Sequence, residues 1–465
     1  MYSLKKIIIP LLFLSFIAFT SCSESDNPIE EMQGEDDGED DGEDDDTPVG
    51  STLDIVFARN IGGSNLDEGA AIIQTTDGGF VLVGATKSTD GDITDKTTDD
   101  SDVWVLKTDA QGVMQWSKTY GGSGDDEGTN IKKTNDGGYI VSAVTRSSDG
   151  DIMSGNAGFN DMWVFKISSS GNLLWEKTYG YEGNEVAYNV ITTSDGGYLL
   201  LGVLDVTASG GEGNVGRVAG NHAGGDYWVL KLNSEGEREW SRYYGGTFTD
   251  TAYDAVETAT GGFIITGSSD SQDVDITSNI GQYDYWILNI DEHGDILWRK
   301  NFGGAEIDLV YAMTKTLDGN YLIAGDTRSS DGNVGNLIGN ADVWVVKINE
   351  AGTVLWSKTY GGTQFESARD VVALTDGTYA IVASSRSNDV NLNNNQGVND
   401  AWLFLIDTDG NLLKQKNLGG SNLDFGEGVT QTADGNLIIT GSTESSNGDF
   451  TSNKGNKDLL LIKVE

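Results

Sequence analysis

Residues 128–180 read GTNIKKTNDGGYIVSAVTRSSDGDIMSGNAGFNDMWVFKISSSGNLLWEKTYG, and the fold is decided by how this stretch divides. GTNIKKT and YIVSAVT flank the turn Asn-Asp-Gly-Gly. A longer loop, RSSDGDIMSGNAGFN, leads to DMWVFKI, and SSSGN then turns the chain into LLWEKTYG. Short β-branched and aromatic runs bounded by Asp-Gly and Gly-Asn pairs read as strands joined by hairpins, because these pairs supply the backbone conformations that tight turns require. The unit is therefore four short antiparallel strands.

The unit recurs. The Asp that opens its third strand falls at Asp102, Asp161, Asp226, Asp284, Asp342, Asp400 and Asp458, at spacings of 59, 65, 58, 58, 58 and 58 residues. Seven copies of a four-stranded unit predict an all-β chain folded as a single seven-bladed β-propeller over residues 53–465. The seventh copy runs to DLLLIKVE (458–465) without a fourth segment, whereas DIVFARNIGG (54–63) aligns with the strand end MQWSKTYGG (114–122). The N-terminal strand is thus expected to complete the last blade and close the ring, leaving no unpaired strand edge at the seam.

Composition narrows the chemistry. The chain has 465 residues, 63 of them glycine, and its three prolines (Pro10, Pro28, Pro48) all precede residue 50. Continuous β-ladders, which need every backbone N–H, suit such a sequence. One cysteine excludes an internal disulfide and a Cys-based metal site, and two histidines, His222 and His293, are too few for a His-rich metal centre. Any active site must be built from carboxylates, Tyr, Lys or Arg.

Residues 1–21 carry Lys5 and Lys6 before the apolar run IIIPLLFLSFIAF, as an export signal does. FTSC (19–22) resembles the end of a bacterial lipoprotein signal, which implies acylation, with palmitate among the chains, at Cys22. Residues 22–52 hold fourteen acids and no Lys or Arg, so they are expected to form an extended, disordered tether. CSESDNPIEE resembles the surface-export signal of Bacteroidetes lipoproteins, which implies a lipid anchor in the outer membrane with the propeller on the extracellular side. Setting aside the two leader lysines and the fourteen tether acids, the net charge of −44 becomes −32 for the propeller. Nucleic acid and anionic membrane surfaces are poor partners for it. A monomer is expected.

The repeats, with units such as GGSGDDEG and DGGYIVSAVTRSSDGD, resemble the bacterial β-propeller repeat family of secreted and surface proteins over residues 54–465. That resemblance implies the fold and leaves function open, since propellers host many activities.

Residues shared by nearly every unit are expected to serve the ring. Eleven tryptophans occupy two repeat positions, Trp104 and Trp116 in the first unit, and are read as wedges between blades rather than as sugar platforms. An acid precedes each innermost strand: Asp67, Asp126, Glu185, Asp250, Asp308, Glu366 and Asp424. These predict a crown of carboxylates at the channel mouth, with two readings: acceptors for the Gly-rich turns, or ligands for a hard cation such as Ca2+. D-x-[DN] pairs, such as Asp90 with Asp92 and Asp389 with Asn391, begin a calcium loop but lack its distal ligands, and Asx-turns are the alternative.

A specific ligand is better sought where units differ. Three residues beyond each crown acid stand Ala70, Thr129, Tyr188, Tyr253, Tyr311, Arg369 and Glu427. Tyr188, Tyr253, Tyr311, Arg369 and Glu427 are the candidate ligand-binding residues, stacking on sugar rings and bonding hydroxyls; the tyrosines filling space between blades is the alternative. The enlarged loop Asp205–Gly225 of the third unit, with Glu212, Arg217 and His222, is a second asymmetric element. No catalytic residue is assigned. The expected function is a non-catalytic, surface-tethered module that binds polysaccharide for a neighbouring glycan capture, uptake or degradation system. A carbohydrate-active hydrolase or lyase, and a protein-docking scaffold, are the alternatives.

Overall fold

The computed structural model describes residues 53–214, 222–276, 278–392 and 394–465. The expected leader (1–21) and lipidated tether (22–52), and Arg217 of the enlarged loop, lie outside the described residues. The rest forms seven four-stranded antiparallel sheets. Six are simple meanders; blade one runs Asp67–Gln74, Phe80–Thr86, Asp102–Thr108 and Met114–Tyr120 from the centre outward. Each innermost strand abuts those of the neighbouring blades, and Asp424–Gln431 of blade seven abuts Asp67–Gln74 of blade one, so the ring is closed.

Blade seven is completed from both ends of the fold. Ile55–Ile61 lies antiparallel to Asp458–Val464, with Ile61 opposite Leu459 and Ala58 opposite Ile462. The seven-bladed architecture and its N-terminal closure are those the repeat pattern predicts.

The core lies in the seams between blades rather than in one central mass. Between blades one and two, Val81, Val83, Val103 and Val105 pack against Ile131, Val141, Trp163 and Phe165. The third-strand tryptophans, Trp104, Trp163, Trp228, Trp286, Trp344 and Trp402, are all fully buried, as wedges must be. Those of the fourth strand are half-buried and reach the next blade's outer turn. Trp240, Trp298 and Trp356 donate their indole N–H to the carbonyls of Glu292, Glu350 and Thr408. Trp116 covers Gly171 of the next blade, whose φ of +73° and crowded face both favour glycine. Tyr120, four residues on, donates its hydroxyl to the Gly171 carbonyl (2.6 Å).

The closing strand substitutes for this arrangement. Phe57 takes the place of Trp116 and covers Gly112 of blade one, and Ile61 takes the place of Tyr120. With Leu459 and Leu461 these residues pack on Ile72, Phe80, Leu82 and Trp104. Burying each such side chain contributes roughly 1.5–3 kcal/mol. Deleting residues 54–61 is therefore expected to lower the thermal midpoint by at least about 5 °C in calorimetry. Val56→Ala, at a side chain 49% exposed in the same strand, should move it by no more than about 1 °C. Equal midpoints for the deletion and the wild type would refute closure by this strand.

Candidate functional site

Each blade begins with a turn whose backbone N–H groups point into the fold and cannot join a ladder. In blade one all four are met by side chains. Gly62 N–H donates to Asp92 Oδ2 (2.9 Å), Gly63 to Asp67 Oδ2 (2.7 Å), Ser64 to Asp90 Oδ1 (2.7 Å) and Asn65 to Ser88 Oγ (2.9 Å). The same four bonds recur in blade two and in blades four and five. They recur again in blades six and seven. The D-x-[DN] pairs are thus acceptors for the turn above them, which is the Asx-type alternative.

The acids expected to crown the channel mouth serve the same turns. Asp67, Asp126, Glu185, Asp250, Asp308, Glu366 and Asp424 are fully buried, one in each seam. Asp67 accepts from Gly63 N–H and from the hydroxyls of Ser88 (2.8 Å) and Thr86. The structure therefore corrects the open crown. Seven separate braces stand in its place, because every turn N–H needs a local acceptor. Among the described residues no three His, Cys, Asp and Glu side chains are grouped as a metal site would need.

A second buried carboxylate faces each brace. The third-strand Asp of the preceding blade lies across the seam, so that a Cβ on Gly121 would come within 2.5 Å of Asp102 Oδ1 and 2.7 Å of Asp126 Oδ2. Only glycine fits between them. In blade two and blades four to seven one oxygen of this second Asp accepts a backbone N–H four residues earlier, as Asp400 does from Gln396 (2.7 Å) and Asp284 from Ile280 (2.6 Å), whereas Asp102 of blade one accepts from Lys96 Nζ (2.6 Å). Burial, opposed by these bonds and reinforced by the facing carboxylate, raises Asp284 and Asp400 to about 7, and Asp342 to about 6.

Blade three departs from the pattern. Its turn retains the Tyr181 N–H bond to Glu185 Oε2 (2.8 Å). His222, named with the enlarged loop as an asymmetric element, lies in the seam. Its Nδ1 bonds Asp226, its Nε2 lies 4.0 Å from Asp275 Oδ2 of blade four, and its ring meets Tyr243 edge-on at 4.9 Å. The imidazole stands in for the backbone N–H that partners the equivalent Asp in blade two and blades four to seven, as the Lys96 ammonium does for Asp102 in blade one.

The residues singled out where the units differ are brought together. In all seven innermost strands the register with the second strand skips one residue, and those residues are Ala70, Thr129, Tyr188, Tyr253, Tyr311, Arg369 and Glu427. Each is the extra residue of a β-bulge, freed from the ladder and half-buried at the channel. Five of them form a continuous row. Ring centroids of Tyr188 and Tyr253 are 4.7 Å apart, and those of Tyr253 and Tyr311 are 5.3 Å apart. Arg369 Cζ lies 4.3 Å from the Tyr311 ring centre, and its Nε is 3.9 Å from Glu427 Oε2. Burial pushes Tyr188 up to about 12, so its hydroxyl stays protonated.

Beside the row stand two acids that sequence reading missed. Asp254 accepts from Asn189 Nδ2 (2.7 Å) and Met313 N–H (2.8 Å), and Asp370 from Val429 N–H (2.9 Å). Both are raised to about 6 by burial, with Lys132 of blade two opposing. Their sequence signal is a polar pair, Tyr253-Asp254 and Arg369-Asp370, that breaks strand alternation at the bulge.

No protein-family model matches the chain, and no curated protein is similar to it in sequence. The solved structures similar to it are β-propellers. The WD40 domain of Pan2 from Neurospora crassa is 9% identical over 88% of this chain and 97% of its own, with a TM-score of 0.48. A protein of unknown function from Bacteroides caccae is 12% identical, covering 67% of this chain and 94% of its own (TM-score 0.36). A gluconolactonase from Xanthomonas campestris is 10% identical, covering 74% and 91% (TM-score 0.35). The likeness is one of architecture.

The seam carboxylates set a pH dependence. A carboxyl whose folded pKa is raised holds its proton longer in the folded state, so its contribution to stability is complete below about pH 4 and lost as pH rises through 6–7. The opposite groups, Asp77, Asp136 and Asp195, are lowered to about 2, Asp77 and Asp136 chiefly by bonds to Lys107 and Lys166. Their contribution is lost only below about pH 4. The thermal midpoint is therefore expected to fall by several degrees from pH 5 to pH 8, and Asp400→Asn should flatten that slope. A midpoint that rises over this interval would contradict the assignment.

Proposed function

We propose that this chain is a lipid-anchored protein of the outer cell surface whose propeller binds polysaccharide, without cleaving it, at the row of bulge residues. The observation that carries the reading is the row itself: three adjacent tyrosines, then Arg369 and Glu427, in five consecutive blades at one channel. Aromatic faces cover the apolar face of a sugar ring, while phenol, guanidinium and carboxylate groups bond its hydroxyls. At the row the likeness between blades gives way to chemical variety. The leader and acidic stretch support the anchored placement, since a long charged tether would hold a rigid receptor clear of the membrane.

Asp254 and Asp370 bear on the enzymatic alternative. Carboxyls raised to about 6 have the protonation behaviour of general acids. Each, however, already accepts a neighbouring blade's N–H and one next to it in its own strand, and so braces the inner ring. Binding without cleavage is the reading that follows.

The test is calorimetric titration of the full-length chain with a panel of soluble neutral glycans, with and without calcium. At least one is expected to bind, equally well under both conditions because the brace acids lie apart, one to a seam, with no three acids among the described residues grouped around a cation position. Tyr253→Ala with Tyr311→Ala should weaken that binding by roughly tenfold or more. Unchanged affinity in the double variant would eliminate the row as the site, and chain cleavage by the wild type would move the reading to an enzyme.

A further inference from the structure

Blade four carries aromatic residues at two repeat positions where the other blades have none. On the face of the inter-blade turns it opens a cleft of about 490 Å3, lined by Phe248, Asp270, Gln272, Gly281, Gln282 and Tyr283. Sites for small ligands usually occupy about 300–1,000 Å3. Phe248 sits at the fourth turn position, which is Asn65 in blade one, Glu306 in blade five and Gln364 in blade six. Tyr283 sits where blades one, five and six have Ser101, Ala341 and Asn399. No other blade has an aromatic residue at either place.

We propose that this cleft is an outer subsite for the same glycan, where a neutral polysaccharide chain leaving the tyrosine row runs across Tyr283 to stack on Phe248. The inference rests on the reading of the row as a glycan site. Phe248 is 58% exposed, although its backbone is fixed by a bond from its N–H to Ser271 Oγ (3.0 Å). A large exposed ring on a rigid turn is a stacking platform at low entropic cost. Around it stand one carboxylate, Asp270, held by Thr249 N–H (2.6 Å), and two exposed carboxamides, Gln272 and Gln282.

This set of groups selects its ligand. An apolar molecule would desolvate Asp270 and the exposed Gln272 carboxamide without bonding either, which costs binding energy. An anion would face Asp270 with no basic residue in the lining. A ring with apolar faces and hydroxyl edges satisfies all of them. Continuity with the row follows from the chain itself: Thr249, which anchors Asp270, directly precedes the innermost strand Asp250–Glu257 that carries Tyr253.

The probes are cellohexaose, mannohexaose and xylohexaose, each titrated beside its own disaccharide into the full-length chain. Phe248→Ala is expected to weaken the best-bound hexasaccharide by about tenfold and to leave the disaccharide unchanged. Gln272→Ala should weaken the hexasaccharide in the same sense. Both side chains are exposed, so unchanged thermal midpoints should accompany the loss. If both variants bind the hexasaccharide as the wild type does, while the Tyr253 and Tyr311 double variant does not, the subsite is refuted and the row stands. If the wild type binds none of these sugars, both fall together.

Discussion

The propeller depends on what is done with four backbone N–H groups at the start of each blade. The chain must pass from the outer edge of one sheet to the centre of the next, and the Gly-Gly turn that ends this passage turns its donors inward. Leaving one buried donor unpaired costs about 1–3 kcal/mol. In blade one the acceptors are Asp67 on the innermost strand and Ser88, Asp90 and Asp92 on the following loop. Charged acceptors make the stronger bonds. The loop is thereby tied down over the turn, and one face of the ring becomes rigid enough to hold side chains in fixed positions.

This solution has an electrostatic consequence. Placing a carboxylate at every turn brings it up to the Asp that opens the third strand of the neighbouring blade, with only a glycine between them. Two buried anions at such a separation destabilise each other and are poorly hydrated. Backbone bonds offset part of that, as those from Ile280 to Asp284 and Gln396 to Asp400 show, but Oδ1 of both acids meets no donor among the described residues. A proton on one member of each pair removes the conflict without any change of packing. The strong acidity of the chain therefore resides partly in its seams and not only on its surface.

The repeats made the architecture legible because every blade states it again: strand periodicity, turn residues and the spacing of the third-strand Asp agree seven times, and residues 54–61 complete the count. The buried tryptophans were legible for the same reason. Other features depend on partners that a linear pattern does not name. Asp90 and Asp92 have the spacing of a calcium loop, and only the fold shows that N–H groups 26 and 30 residues earlier already occupy them. Likewise the row Tyr188 to Glu427 was visible as variation at one repeat position, whereas the bulge that places it at the channel was not. Asp254 went unread, and His222 was noticed without its role, because both act across a seam.

Why the variation collects at the bulge follows from the constraints on every other position of the innermost strand. The residues before and after it are paired with the second strand, and their side chains alternate between the two seams, so a change in one must be matched across a blade interface. The bulge residue is released from that pairing, and its side chain enters the channel, where no neighbouring sheet dictates its size. Ala70 and Glu427 occupy equivalent places in adjacent blades without disturbing the ring. A repeat protein that needs a particular ligand site has few places to build one without weakening its own closure, and here the bulges are such places. The fourth turn position offers a second, because its backbone is fixed by a serine hydroxyl while its side chain points into solvent. Phe248 and the tyrosine row thus mark the positions at which this ring can be specific and remain a ring.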